Sequence, residues 1–146
     1  MAVKIGYSKR ANLTHGFAIL AEGWNELVQD GFTPDGVAQS PVLASDEVIY
    51  AVSTEGDIVG AMAFRSEDES ICVHLSYVEP SSRRRGIYRQ MFEALLSKAR
   101  DRGTIKITSE VAFENRDMQA VMRRTGRSPV ATVFEMTVKP AGGEGA

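Results

Sequence analysis

The segment from Ser70 to Val111 restricts the fold more than any other part of the chain. It reads SICVHLSYV (70–78), then Pro80, then an amphipathic stretch from Arg83 to Arg102, then TIKITSEV (104–111). Strand alternation gives way to helical spacing and returns. Tyr88, Met91, Phe92, Leu95, Leu96 and Ala99 recur on one helical stripe. Ser81 or Ser82 stands where an N-cap belongs, and Gly103 supplies the stop. A helix that crosses between two adjacent strands of one sheet makes those strands parallel.

The strands before that crossover point the other way. EVIYAV (47–52), DIVGAMAF (57–64) and SICVHLSYV are separated by STEG and RSEDE, turns of hairpin length. Three strands joined so closely make an antiparallel meander. Val3–Tyr7 adds a short strand. A helix follows, with Thr14 as a cap and Phe17, Leu20, Trp24, Leu27 and Val28 at helical spacing. Trp24 on that stripe reads as core. FTPDGVAQSP (32–41) is a loop. Asn115–Thr125 is a second amphipathic helix ending at Gly126, PVATVFEMTV (129–138) a last strand, and 140–146 a disordered tail. The expected architecture is an α/β (α+β) fold of one domain, residues 1–139. Its central sheet is mixed and mostly antiparallel, and helices flank it.

The chain has 146 residues, enough for one core and not comfortably for two. No apolar run reaches the roughly 18 residues of a membrane span, and MAVKIGYSKR has no signal-peptide core. One cysteine, Cys72, excludes an internal disulfide and reads as a small buried apolar residue. These features fit a cytoplasmic chain with no membrane partner. No metal-ligand spacing is present.

Charge is unevenly placed. The net value is −2, yet residues 1–80 carry −8 and residues 81–127 carry +7. The second half is suited to meet an anion, unless the two halves pair with each other. Its centre is SSRRRGIYRQM (81–91). A helix start leaves N–H groups unpaired and carries partial positive charge. A glycine there lets an anion reach the backbone, and arginines add charge and donors. Strand, turn, Arg83–Arg84–Arg85–Gly86 and helix form a phosphate site in principle. Neither G-x-x-x-x-G-K-[ST] nor G-x-G-x-x-G is present, so this is no Walker loop and no dinucleotide fingerprint. The competing reading is a basic face on a nucleic-acid backbone.

The stretch LSYVEPSSRRRGIYRQMFEALLSKA resembles the acetyl-CoA-binding segment of the GNAT family of N-acetyltransferases, whose motif is [Q/R]-x-x-G-x-[G/A]. Arg83 matches the first position and Gly86 the glycine. Arg84, Arg85 and Ile87 fill variable positions, and Tyr88 stands where Gly or Ala is usual. ENRDMQAVMRRTGR resembles the family's later helix, with Asn115 and Gly126 on matching positions. Met122 replaces a common Tyr, and Arg127 a common Phe. The resemblance covers roughly residues 45–138. It implies that N–H groups of the Arg84–Tyr88 turn hold the diphosphate of acetyl-CoA. Ser76, Tyr77 and Val78 would line its pantetheine arm, with one N–H on the acetyl carbonyl. Asn115 would sit near the thioester or cap its helix. The ring of Tyr88 would have to turn away from the phosphates.

The implied activity is direct acetyl transfer to an amine in a ternary complex. His74, four residues before Val78, is the leading base for the amine proton, because imidazole titrates near neutrality. A half-buried structural histidine is the competing reading. Glu110 is the second candidate. Met122 cannot donate a proton, so Tyr77 or a water protonates the leaving thiolate, or CoA leaves as the anion. The acceptor, a small-molecule or peptide amine, would meet the first helix, the 30–46 loop and the last strands. The acidic first half favours a cationic amine. A CoA-binding relative without activity and an enzyme modifying nucleic acid are the alternatives. Pairing of sheet edges into a homodimer is compatible with the family.

Overall fold

The computed structural model describes residues 2–14, 16–32, 40–112, 114–132, 134, 136 and 138. Five strands form one sheet in the order β1-β2-β3-β4-β5. They are β1 (Val3–Ser8), β2 (Glu47–Ser53), β3 (Ile58–Glu67), β4 (Ser70–Val78) and β5 (Lys106–Ser109). Successive strands from β1 to β4 pair antiparallel. β5 is parallel to β4, as the crossover through a helix requires. Helices α1 (Gly16–Gln29), α2 (Ile87–Asp101) and α3 (Arg116–Arg124) complete the described elements.

Two apolar layers hold the sheet. Ile87, Met91, Phe92, Leu95 and Ala99 of α2 pack on Ile49, Met62, Phe64, Ile71 and Val73. Ile19 and Leu20 of α1 pack on Val48, Ala61, Ala63 and Leu75, with Trp24 and Leu27 against them. Each large side chain fully buried here is worth roughly 1.5–3 kcal/mol. Tyr77 also belongs to the α1 layer, where a Cβ on Gly23 would come within 2.6 Å of its ring. The glycine is what lets α1 lie on the end of β4.

β4 changes phase along its length. Ala63 pairs with Leu75 and Phe64 with Val73, so His74 is the extra residue of a bulge. Ile71 and Val73 face α2, whereas Leu75 and Tyr77 face α1.

Several expectations are corrected. α2 begins at Ile87, not Arg83, because Pro80–Ser82 form a 3-10 turn and Arg84 and Gly86 take positive φ, 64° and 78°. Neither serine caps the helix. Gly86 is the N-cap, and both hydroxyls donate to Glu79. β5 is shorter than 104–111. The described members of 129–138 lie outside any strand, and Val130, Phe134, Met136 and Val138 are exposed. Cys72 is half-buried, not core. Thr14 does cap α1, its hydroxyl accepting from the Gly16 N–H. His15, most of the 32–41 loop and the 140–146 tail fall outside the described residues.

Among the described residues, no helix is long and apolar enough to cross a membrane, and no cluster of His, Cys, Asp or Glu could hold a metal.

Candidate active site

Pairing between β4 and β5 covers only Ser70–Val73 against Lys106–Ser109. Beyond Val73 the outer edge of β4 has no neighbouring strand among the described residues. The N–H of Glu79 is spent on the Val59 carbonyl, 2.9 Å away on the β3 side. Backbone groups alternate along a strand, so the N–H and C=O of Val78 point to the open edge. The Val78 carbonyl is met there by Arg83 Nε at 2.8 Å. A strand end of this kind offers an extended ligand a row of backbone partners.

Two buried polar atoms in this half of β4 lack partners. His74 Nε2 and Ser76 Oγ are both buried without a hydrogen bond among the described residues. Such groups cost about 1–3 kcal/mol each unless something satisfies them.

The helix start lies next to that edge. The first helical N–H returned to the chain is that of Gln90, 3.1 Å from the Gly86 carbonyl. The N–H groups of Ile87, Tyr88 and Arg89 therefore have no intrahelical acceptor. Space around Gly86 is open, with no heavy atom within 4 Å of a Cβ built there. Arg84 and Arg85 are exposed beside it. This end of α2 is open and positively charged.

The remaining predicted residues divide. Tyr88 turns to the core, stacking on Phe92 and accepting from Arg127 Nη2 at 2.6 Å. Tyr77 is packed under Arg83, whose guanidinium lies 5.2 Å from its ring centroid. Burial raises the Tyr77 phenol above its ordinary value, and the Glu26 carboxylate adds to this. Tyr77 is consequently protonated at neutral pH. Asn115 caps α3, its Oδ1 accepting from the Met118 N–H at 3.2 Å. Glu110 is exposed just past the end of β5. The structure thus gathers His74, Ser76, Tyr77, Val78 and the Arg83–Tyr88 turn around one end of β4.

Sequence reasoning missed Glu26 and Arg127. Glu26 Oε2 lies 2.6 Å from Arg83 Nη2. Arg127 stacks on Phe92 with 4.1 Å to the ring centroid, and Nη1 donates to Ser109 Oγ at 2.9 Å. No local pattern announces either contact. The unbalanced charge of the two halves was the only available signal for the first.

Comparison with known proteins identifies the family and the fold. The family profile described as acetyltransferase (GNAT) family matches residues 16–126. No curated protein sequence matches significantly. Among solved structures, one similar fold is an aminoglycoside acetyltransferase from an uncultured soil metagenomic sample. It is 21% identical with a TM-score of 0.66, covering 95% of this chain and all of the other. Another is AAC(6')-Iy in complex with a CoA-linked bisubstrate analogue, 17% identical with a TM-score of 0.69, covering 96% and all of the other. A third is a ribosomal-protein-alanine N-acetyltransferase from Brucella melitensis biovar Abortus 2308. It is 19% identical with a TM-score of 0.66, covering 94% and all of the other.

Proposed function

We propose that this chain, which belongs to the acetyltransferase (GNAT) family, transfers an acetyl group to an amine by direct attack in a ternary complex. The enzyme is an N-acetyltransferase and acetyl-CoA its cosubstrate. The observation that carries the reading is the end of β4, which among the described residues has no neighbour on its outer edge and holds two unsatisfied polar atoms, beside an anion-ready helix start.

Acetyl-CoA supplies an activated thioester. The N–H groups of the Arg84–Tyr88 turn and of Arg89 bind its diphosphate, and the side chains of Arg84 and Arg85 add positive charge. The edge of β4 from Ser76 to Val78 orients the pantetheine arm. The Val78 N–H is the donor for negative charge developing on the acetyl oxygen. His74 takes the amine proton, with Glu110 as the alternative base. Tyr77, held protonated, is the acid for the departing sulfur in place of the tyrosine that Met122 replaces. Asn115 fixes the start of α3 beside the cleft. The acceptor is a small-molecule or peptide amine. The −8 charge of residues 1–80 favours a cationic one.

Calorimetric titration with acetyl-CoA, CoA and a short DNA duplex tests the reading. Micromolar acetyl-CoA binding with weak DNA binding is expected. Gly86→Asp places a carboxylate against the diphosphate and should abolish acetyl-CoA binding. Gly86→Asn carries the same positive-φ strain without the charge and should retain most of it. Salt-sensitive DNA binding with no acetyl-CoA binding would overturn the proposal in favour of a polynucleotide surface.

A further inference from the structure

Arg83 opens the arginine run, and motif position alone places it with the diphosphate. Its side chain is engaged elsewhere. Nε donates to the Val78 carbonyl at 2.8 Å, Nη2 contacts Glu26 at 2.6 Å, and the guanidinium plane covers Tyr77. The hydrogen bond it donates to Glu26 raises the Arg83 pKa further, so the charge is permanent.

These contacts act on one peptide unit. The bond between Val78 and Glu79 is held on one side by Arg83, through the Val78 carbonyl. It is held on the other by Val59, through the Glu79 N–H. A peptide fixed at both polar ends cannot rotate, and that fixes the end of the strand whose next N–H inward is that of Val78. Glu26 sets the direction of the guanidinium from α1, 57 residues away in sequence. The pair is only partly exposed, with 41% and 34% of the two side chains accessible. An ion pair so placed adds little stability, but it can add geometry.

We infer that Arg83 is a positioning residue for the acetyl end of the cosubstrate, and that Glu26 is its partner in that role. The pair locks the Val78–Glu79 peptide and ties the acceptor-side helix α1 to the acyl-binding end of β4. The inference rests on the acetyltransferase reading above and assigns a site within it.

The test separates the two ends of acetyl-CoA. Acetyl-CoA and ADP, which carries a diphosphate without a pantetheine arm, are titrated into the unmutated protein, Arg83→Gln, Glu26→Gln and the double variant. Both single variants should weaken acetyl-CoA binding about tenfold, the worth of one hydrogen bond to a charged group. ADP affinity should stay within about twofold, a difference below 0.5 kcal/mol. The double variant should lose no more than either single one, because the two groups work as a unit. Equal loss of ADP and acetyl-CoA in Arg83→Gln, with Glu26→Gln silent, would make Arg83 a phosphate ligand and overturn the inference. Unchanged acetyl-CoA affinity in both variants would overturn it as well. Failure of the unmutated protein to bind acetyl-CoA would instead overturn the enzymatic reading itself.

Discussion

Arg127 and Tyr88 are two of the three residues at which this chain departs from the pattern it resembles, and they touch. Arg127 lays its guanidinium on Phe92 where a phenylalanine ring is usual, and its tip holds the Tyr88 hydroxyl and Ser109. Each departure makes room for the other: the tyrosine needs a buried partner and the arginine supplies it. Arg127→Ala should lower unfolding stability by about 2 kcal/mol, from lost packing and an orphaned hydroxyl. Arg127→Phe should recover the packing part, and urea unfolding distinguishes the two. At His74 the readout is kinetic. His74→Ala should flatten the acid limb of the pH–rate profile, because the unprotonated imidazole is then no longer required. A profile with the original limb would remove His74 from proton transfer and leave Glu110. The residue types of this site were legible in the sequence, since a strand ending before Arg-Arg-Arg-Gly carries its own chemistry. Its pairings were not, since Arg127 and Tyr88 lie far apart along the chain and neither sits in a pattern.

Among the helices, α2 carries both the anion end and the largest share of the core. Its far end is fastened by charge. Arg102 grips the Glu47 carboxylate through both terminal nitrogens, at 2.6 and 2.9 Å, and also reaches Ser66. Tyr7 donates to the same carboxylate, and Lys98 sits 3.4 Å over the Tyr7 ring. Partial burial pushes the Glu47 carboxyl upward, but the bonds from Arg102 and Tyr7 outweigh it and hold the carboxyl below its ordinary value. The stabilisation is therefore complete above the ordinary carboxylate pKa, about 4.3, and is lost as pH falls through the lower folded value. Glu47→Gln should be less stable than the unmutated protein at pH 6, by about 1 kcal/mol. The gap should shrink toward pH 3 in urea titrations. A constant gap would exclude the charge as its cause. The start of α2 was misjudged by four residues because arginine is a good helix former. Only the positive φ of Arg84 and Gly86 shows that the run is a turn.

The whole molecule is a sheet between two unequal layers, and the α2 layer is the larger. Leu95, fully buried beneath it, should cost about 2–5 kcal/mol when replaced by Ala. Chemical denaturation should show this as a shifted midpoint with an unchanged slope. The mixed sheet was legible because a crossover helix leaves few topologies. Strand register was not, because side-chain alternation continues on either side of a bulge and hides the step. That step at His74 has a consequence for how such a chain can change over time. Its two halves keep separate counts of residues, one for the layer under α2 and one for the acyl-binding end. Substitution at 74 leaves both counts intact. Deletion of His74 would straighten the strand and leave Leu75 and Tyr77 on the α1 side, whereas deletion of Ser76 would turn Tyr77 toward the wrong layer. The fold of chains sharing this architecture should thus tolerate a change of length at the bulge better than one between Leu75 and Tyr77.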